Sequence, residues 1–107
     1  MVKYNIEFLP EYYRDLDNIF DYILLDSPKE ASTVLEKIMI QLEKLEQFPF
    51  MGKRVIHTSL NYYSFRMVII YPYIAFYRFI NDTIYIYRIL HGASDYIKVL
   101  NEDLDIG

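Results

Sequence analysis

The spacing of apolar residues changes along the chain, and each change marks an element. Val2, Tyr4, Ile6 and Phe8 alternate with Lys3, Asn5 and Glu7, the two-residue period of a half-buried strand. Pro10 follows, at a position that the first turn of a helix tolerates. From there Tyr12/Tyr13, Leu16, Ile19/Phe20 and Ile23/Leu24 recur at helical spacing, with Arg14, Asp15, Asp17 and Asp21 mostly between them. This pattern predicts a first helix over about residues 10–25. Ser27-Pro28-Lys29-Glu30 has the form of a capping box with proline at the first helical position. It opens a second helix whose stripe is Ala31, Val34/Leu35, Ile38, Leu42, Leu45 and Phe48, widened by Met39 and Ile40. Only Asp26 and Ser27 separate the two periodic segments, so they should fold back as an antiparallel helical hairpin.

Pro49 and Gly52 punctuate the end of the helical half. Beyond them β-branched and aromatic residues dominate runs at 53–57, 63–70, 73–80 and 83–90, which read as strands. Tyr71-Pro72 and Asn81-Asp82 are the turn signals between the last three. A tail segment at 94–100 fits a helical turn or a strand. No repeat, linker or low-complexity stretch interrupts the series. The expected fold is α+β in one domain over residues 1–107: an N-terminal strand, an antiparallel helical hairpin, then an antiparallel β-meander with the helices on one face.

Two-residue loops at Tyr71-Pro72 and Asn81-Asp82 would place Arg66 opposite Tyr77 and Ala75 opposite Arg88. One face then carries Arg66, Val68, Tyr73, Ala75, Tyr77, Ile86 and Arg88. The other carries Phe65, Met67, Ile69, Ile74, Phe76, Tyr85, Tyr87 and Ile89, with Arg78 toward its end. The second face is the more apolar and is expected beneath the helices. The first would expose two arginines and two tyrosines on a rigid surface. Such a set can hold phosphate oxygens bidentately and stack bases, or its arginines can simply pair with carboxylates such as Asp95. His91, before Gly92, can act as a general acid or base or serve as a hydrogen-bonded strand end. Tyr96 can stack on a base or close the core edge.

Composition narrows the chemistry. The 107 residues include no cysteine, so disulfides and thiolate chemistry are excluded, and with two histidines a zinc site is not expected. Only three glycines occur, none in a phosphate-cradling loop, and no serine sits in a nucleophile elbow. No cofactor is expected. The start of the chain lacks the apolar run of a signal peptide, and the longest apolar run, 67–77, contains Pro72 and is far short of the ~20 residues that span a bilayer. A cytoplasmic protein without membrane contact is the expectation. The net charge of −4 is unevenly placed: residues 1–46 hold five Lys/Arg against ten Asp/Glu, residues 47–100 hold six against two, and Glu102, Asp103 and Asp105 make the tail acidic. The second half is thus locally basic.

The stretch from Tyr73-Ile-Ala-Phe-Tyr77-Arg78 through Asn81-Asp82 to Arg88-Ile-Leu-His91-Gly92, followed by Asp95-Tyr96, resembles the closing hairpin of RelE/ParE-type toxins, also called plasmid stabilisation proteins. The N-terminal strand, the helical hairpin, Phe48-Pro49 with Met51-Gly52, and Arg66 also match, so the resemblance covers nearly the whole chain. It implies a growth-inhibiting toxin of a type II toxin–antitoxin pair, neutralised by a cognate antitoxin whose disordered segment folds across it in a hetero-oligomer. The family divides between ParE-like inhibitors of DNA gyrase and RelE-like ribosome-dependent mRNA endoribonucleases (mRNA interferases). The Leu-His-Gly ending resembles the ParE side. Ala93-Ser94 replace a stretch that often carries arginine, and the pI of about 5.0 is unlike the basic nucleases. A ParE-like gyrase inhibitor is therefore expected. The nuclease is the alternative, with Arg66, Arg88 and His91 as its catalytic set. An inactive member that keeps only antitoxin binding is the third reading. Tyr73, Tyr77, Arg78 and Tyr96 are the expected target-binding residues.

Overall fold

The computed structural model describes residues 2–104; Asp105, counted above in the acidic tail, lies outside them. Asn5–Phe8 form β1, Pro10–Leu24 α1 and Pro28–Glu43 α2, which a 3-10 turn continues over Lys44–Glu46. Lys53–Arg54 form β2, Asn61–Tyr63 a second 3-10 turn, Arg66–Ile70 β3, Tyr73–Ile80 β4, Thr83–His91 β5 and Tyr96–Leu104 α3. The sheet order is β1-β5-β4-β3-β2, with β1 parallel to β5 and the other pairs antiparallel. This is the expected α+β arrangement. Among the described residues no helix is long and apolar enough to cross a membrane.

Local chemistry accounts for the joints. Ser27 caps α2 by accepting the Glu30 amide at 3.2 Å, while Pro28 occupies the first turn, where a missing N–H costs nothing. Asn81 and Asp82 adopt φ of 50° and 62°, a left-handed pair that these side chains tolerate and that closes β4 onto β5 with Ile80 opposite Thr83. The run expected at 53–57 is cut to Lys53–Arg54, and the one expected at 63–70 starts only at Arg66. The intervening chain forms turns held by His57 accepting through its backbone carbonyl from Leu60 and Asn61. The tail is helical.

Two corrections concern the sheet. Arg66 does face Tyr77, but Ala75 pairs with Ile89 and Phe76 with Arg88, because the register of the Asn81-Asp82 turn holds only as far as Tyr77 opposite Ile86 and a bulge between Phe76 and Tyr77 then shifts it by one. The extra residue in β5 is Tyr87, and it re-aims Arg88. The faces are also exchanged. The helical hairpin covers Val68, Ile70, Ala75, Tyr77, Ile84 and Ile86, packed with Tyr12, Ile38, Leu42 and Leu45. The set expected beneath it, Phe65, Met67, Ile74 and Phe76, instead packs with Val55, Leu60 and Leu100. Both faces are covered, one by α1 and α2, the other by α3 and the 55–65 segment. Apolarity alone therefore does not distinguish the side that meets the hairpin.

Candidate functional site

The end of β5 carries the residue that ties the layers together. β1 pairs with β5 only as far as Phe8 opposite Ile86, and the Leu9 amide makes the last bond, to the Ile86 carbonyl at 3.0 Å. The chain then turns into α1, leaving the rest of β5 without a strand on that side. Asp15, at helical spacing from Tyr12 and Ile19 on the inward stripe of α1, fills the gap. Its Oδ2 accepts the Ile89 amide at 3.1 Å and Arg88 Nε at 2.6 Å, and its Oδ1 accepts Arg88 Nη2 at 2.8 Å. From α3, both carboxylate oxygens of Asp103 accept Arg88 Nη1, at 3.1 and 3.0 Å. Asp15 is only 9% exposed, and its charge is met by a guanidinium fork that matches a carboxylate. The hydrogen bonds to Asp15 hold the Arg88 pKa above the ordinary guanidinium value against the opposing effect of burial, and those to Asp103 add to this.

At the other side of the sheet, Arg66 and Tyr77 converge on the turn that follows the helices. Arg66 Nη1 donates to the carbonyls of Phe50 at 3.3 Å and Gly52 at 2.7 Å, and its guanidinium lies 4.9 Å from the Phe50 ring centroid. The Tyr77 hydroxyl donates to the Pro49 carbonyl at 2.8 Å and accepts the Gly52 amide at 3.0 Å. A Cβ at position 52 would stand 2.6 Å from that hydroxyl, so only glycine lets the turn seat on Tyr77. Tyr77 has no exposed surface, which corrects the expectation that its ring meets a target. Burial raises its pKa, while the Gly52 amide and the Arg66 charge act in the opposite sense.

The remaining candidates are dispersed. Arg78 is half-buried; its Nε donates to the Tyr63 carbonyl at 2.6 Å and its Nη1 to the Tyr87 hydroxyl at 3.2 Å, among the rings of Tyr63, Phe65 and Tyr87. Tyr73 is 9% exposed and too enclosed for stacking, and its pKa is raised by burial and then by Tyr22 and Glu30. It sits opposite His91, whose ring packs edge-on against it at 6.0 Å. His91 is exposed, and its Nδ1 accepts the Ala93 amide at 3.1 Å. Tyr96 is half-buried at the start of α3, its ring 5.0 Å from Phe76. Arg66 and Arg88 thus serve different acceptors on different strands and do not form a shared clamp. Among the described residues no group of three or more His, Cys, Asp or Glu side chains is placed to hold a metal ion.

Sequence reasoning passed over Asp15, Asp103 and Phe50. Asp15 had a readable signal, an acid in phase with the apolar stripe of α1. Asp103 and Phe50 had none, since their partners come from distant parts of the chain. It also passed over an apolar cavity of about 230 Å³ between β1, α1 and α2, lined by Ile6, Phe8, Tyr12, Tyr13, Leu16 and Met39 and rimmed by Glu43 and Glu46.

A family model described as the ParE toxin of type II toxin-antitoxin system, parDE, matches residues 6–96. Among solved structures the chain is similar to one from the chromosomal ParDE toxin–antitoxin system of P. aeruginosa, at 23% identity and a TM-score of 0.69, over 83% of this chain and 96% of that one. It is also similar to a chain of the RelBE2 toxin–antitoxin complex of Mycobacterium tuberculosis, at 22% identity and a TM-score of 0.59, over 84% of this chain and 99% of that one. At these identities the structural likeness concerns the fold. No curated protein matches the chain by sequence.

Proposed function

The chain belongs to the ParE toxin family of type II toxin–antitoxin systems, and on that premise we propose that a cognate antitoxin holds it inactive and that, once free, it stops growth by binding DNA gyrase rather than by cutting RNA. The observation that carries this reading is the state of Arg88. Phosphodiester cleavage needs cationic donors free to take up charge that develops on the phosphate. Arg88 instead lies between the carboxylates of Asp15 and Asp103. Arg66 directs Nη1 at two backbone carbonyls of its own chain.

The apolar cavity beside β1 supports the antitoxin part. Its lining is almost wholly apolar, and it suits the aliphatic side chains of a segment that folds on binding. Glu43 and Glu46 at its rim favour a lysine or arginine next to those anchors. Supercoiling of relaxed plasmid by purified gyrase tests the proposal. Inhibition by the free toxin, relieved by stoichiometric antitoxin, is the expected result. Undisturbed gyrase with cleavage of ribosome-bound mRNA would replace this reading with the nuclease one.

A further inference from the structure

The turn from Phe48 to Gly52 is held more firmly than its position requires. Pro49 and Gly52 are buried, and the turn is tied by the Tyr77 hydroxyl at Pro49 and Gly52 and by Arg66 at Phe50 and Gly52. Yet the side chains it displays are apolar and open: Phe48 is 59% exposed, Phe50 64% and Met51 40%. Rigid backbone under exposed aromatic and methionine side chains is the arrangement that interface cores use, because little conformational freedom remains to be lost on docking.

Charge beside the turn is one-sided. Arg54 pairs across the strands with Arg66, and Lys53 adjoins them. Like charges placed opposite each other destabilise a sheet. Among the described residues no carboxylate lies within ion-pair distance of Lys53, Arg54 or Arg66. On the far side of Phe48 the charge is mixed, with Lys3 and Lys44 beside Glu43 and Glu46. On the Phe50–Met51 side the cations have no carboxylate among their neighbours in β2 and β3.

We propose that the Phe48–Met51 turn, together with Lys53 and Arg54, is the surface by which the toxin grips its target, and that the target presents an acidic protein surface with an apolar recess. This rests on the toxin reading above. Nucleic acid fits less well. One face of the Phe50 ring is taken by Arg66, and Phe79 packs against the ring at 86° with centroids 5.2 Å apart, so the ring is not free to be sandwiched between bases. Met51 offers apolar contact without a ring.

The test is a pair of exposed-site variants, Met51→Asp and Arg54→Glu, with Arg54→Lys as the charge-preserving control. Each is induced without antitoxin, and survival, antitoxin affinity and thermal midpoint are measured. Survival raised tenfold or more by Met51→Asp and Arg54→Glu, with antitoxin affinity within twofold and neither midpoint lowered, is expected, and Arg54→Lys should stay toxic. Full toxicity of both variants would overturn the proposal. So would loss of antitoxin binding, which would make the turn part of that interface, or Arg54-dependent crosslinking to RNA. If the parent toxin kills without inhibiting gyrase, the gyrase reading fails while survival of the variants still decides this surface.

Discussion

Asp15 meets Arg88 through two parallel hydrogen bonds of 2.6 and 2.8 Å, and the same carboxylate receives the Ile89 amide at 3.1 Å. One side chain of α1 thereby ends a sheet edge and neutralises a half-buried cation. Removing one partner of such a pair leaves the other charge buried. Asp15→Ala should cost roughly 3 kcal/mol by urea denaturation, in the range for broken buried pairs. Asp15→Asn keeps an acceptor for Ile89 and should cost less. Equal effects of the two would show that the charge contributes nothing.

Asp103 approaches Arg88 from α3 and is the more exposed partner, 22% against 10% for the Asp15 side chain. Asp103→Ala should therefore cost about 1 kcal/mol, near the upper end for exposed pairs. Its clearer mark should be local. Hydrogen exchange should quicken over 96–104 while β4 and β5 stay protected, because α3 loses its only charged tie to the sheet among the described residues. Uniform quickening across the sheet would contradict this.

Gly52 and Tyr77 make a second pairing that substitution can separate. Tyr77→Phe removes a hydroxyl serving two backbone groups and should cost about 1–3 kcal/mol, the usual penalty for leaving buried groups unmet. Gly52→Ala should cost more. The added Cβ would also lie 2.7 Å from Tyr77 Cε1 and 2.8 Å from the Met67 carbonyl, so the double variant should gain no rescue. A double variant as stable as Tyr77→Phe alone would show that the hydroxyl is the only obstacle.

The helical half was legible in the sequence because its signals are local. Pro10, the Ser27–Glu30 capping pattern and the apolar stripes place α1 and the start of α2 nearly to the residue, although α2 ends at Glu43, short of the Leu45 and Phe48 expected on its stripe, and Asn81-Asp82 fixes the β4–β5 turn. The site was less legible. A bulge at Phe76/Tyr77 leaves no mark in an alternating run of aromatic and β-branched residues, yet it decides where Arg88 points. The partners of Arg88 lie 73 and 15 positions away, one on each side of the sheet, and only folding brings them together.

Tyr12 gives a pH dependence with a definite sign. Burial, with a smaller contribution from Tyr13, raises its pKa from 10.0 to about 12. The folded state thus holds this proton more tightly than the unfolded chain. Its contribution is fully present below pH 10.0 and is lost as pH rises toward about 12. Denaturation midpoints measured from pH 8 to pH 12 should fall above about pH 10, the ordinary tyrosine range, and Tyr12→Phe should flatten the fall. The slope should not vanish, since Tyr77 shifts in the same direction. An unchanged slope in Tyr12→Phe would remove Tyr12 from the account.

Met39 lines the apolar cavity, is 49% exposed and lies on the outer side of α2. Met39→Asp should leave stability within about 0.5 kcal/mol, as exposed substitutions do. Antitoxin affinity should fall at least tenfold, because a carboxylate would be buried beside Glu43. Titration calorimetry with the purified antitoxin reads this directly. Unaltered affinity would place the antitoxin elsewhere.

The most direct test of the account is to map mRNA 5′ ends in cells that express the chain without its antitoxin. Growth arrest with intact messages, unchanged between the parent chain and a His91→Ala variant, is the expected result, since Arg88 is held by Asp15 and Asp103. New cuts inside translated codons that disappear in Arg66→Ala or His91→Ala would contradict the account and restore the nuclease.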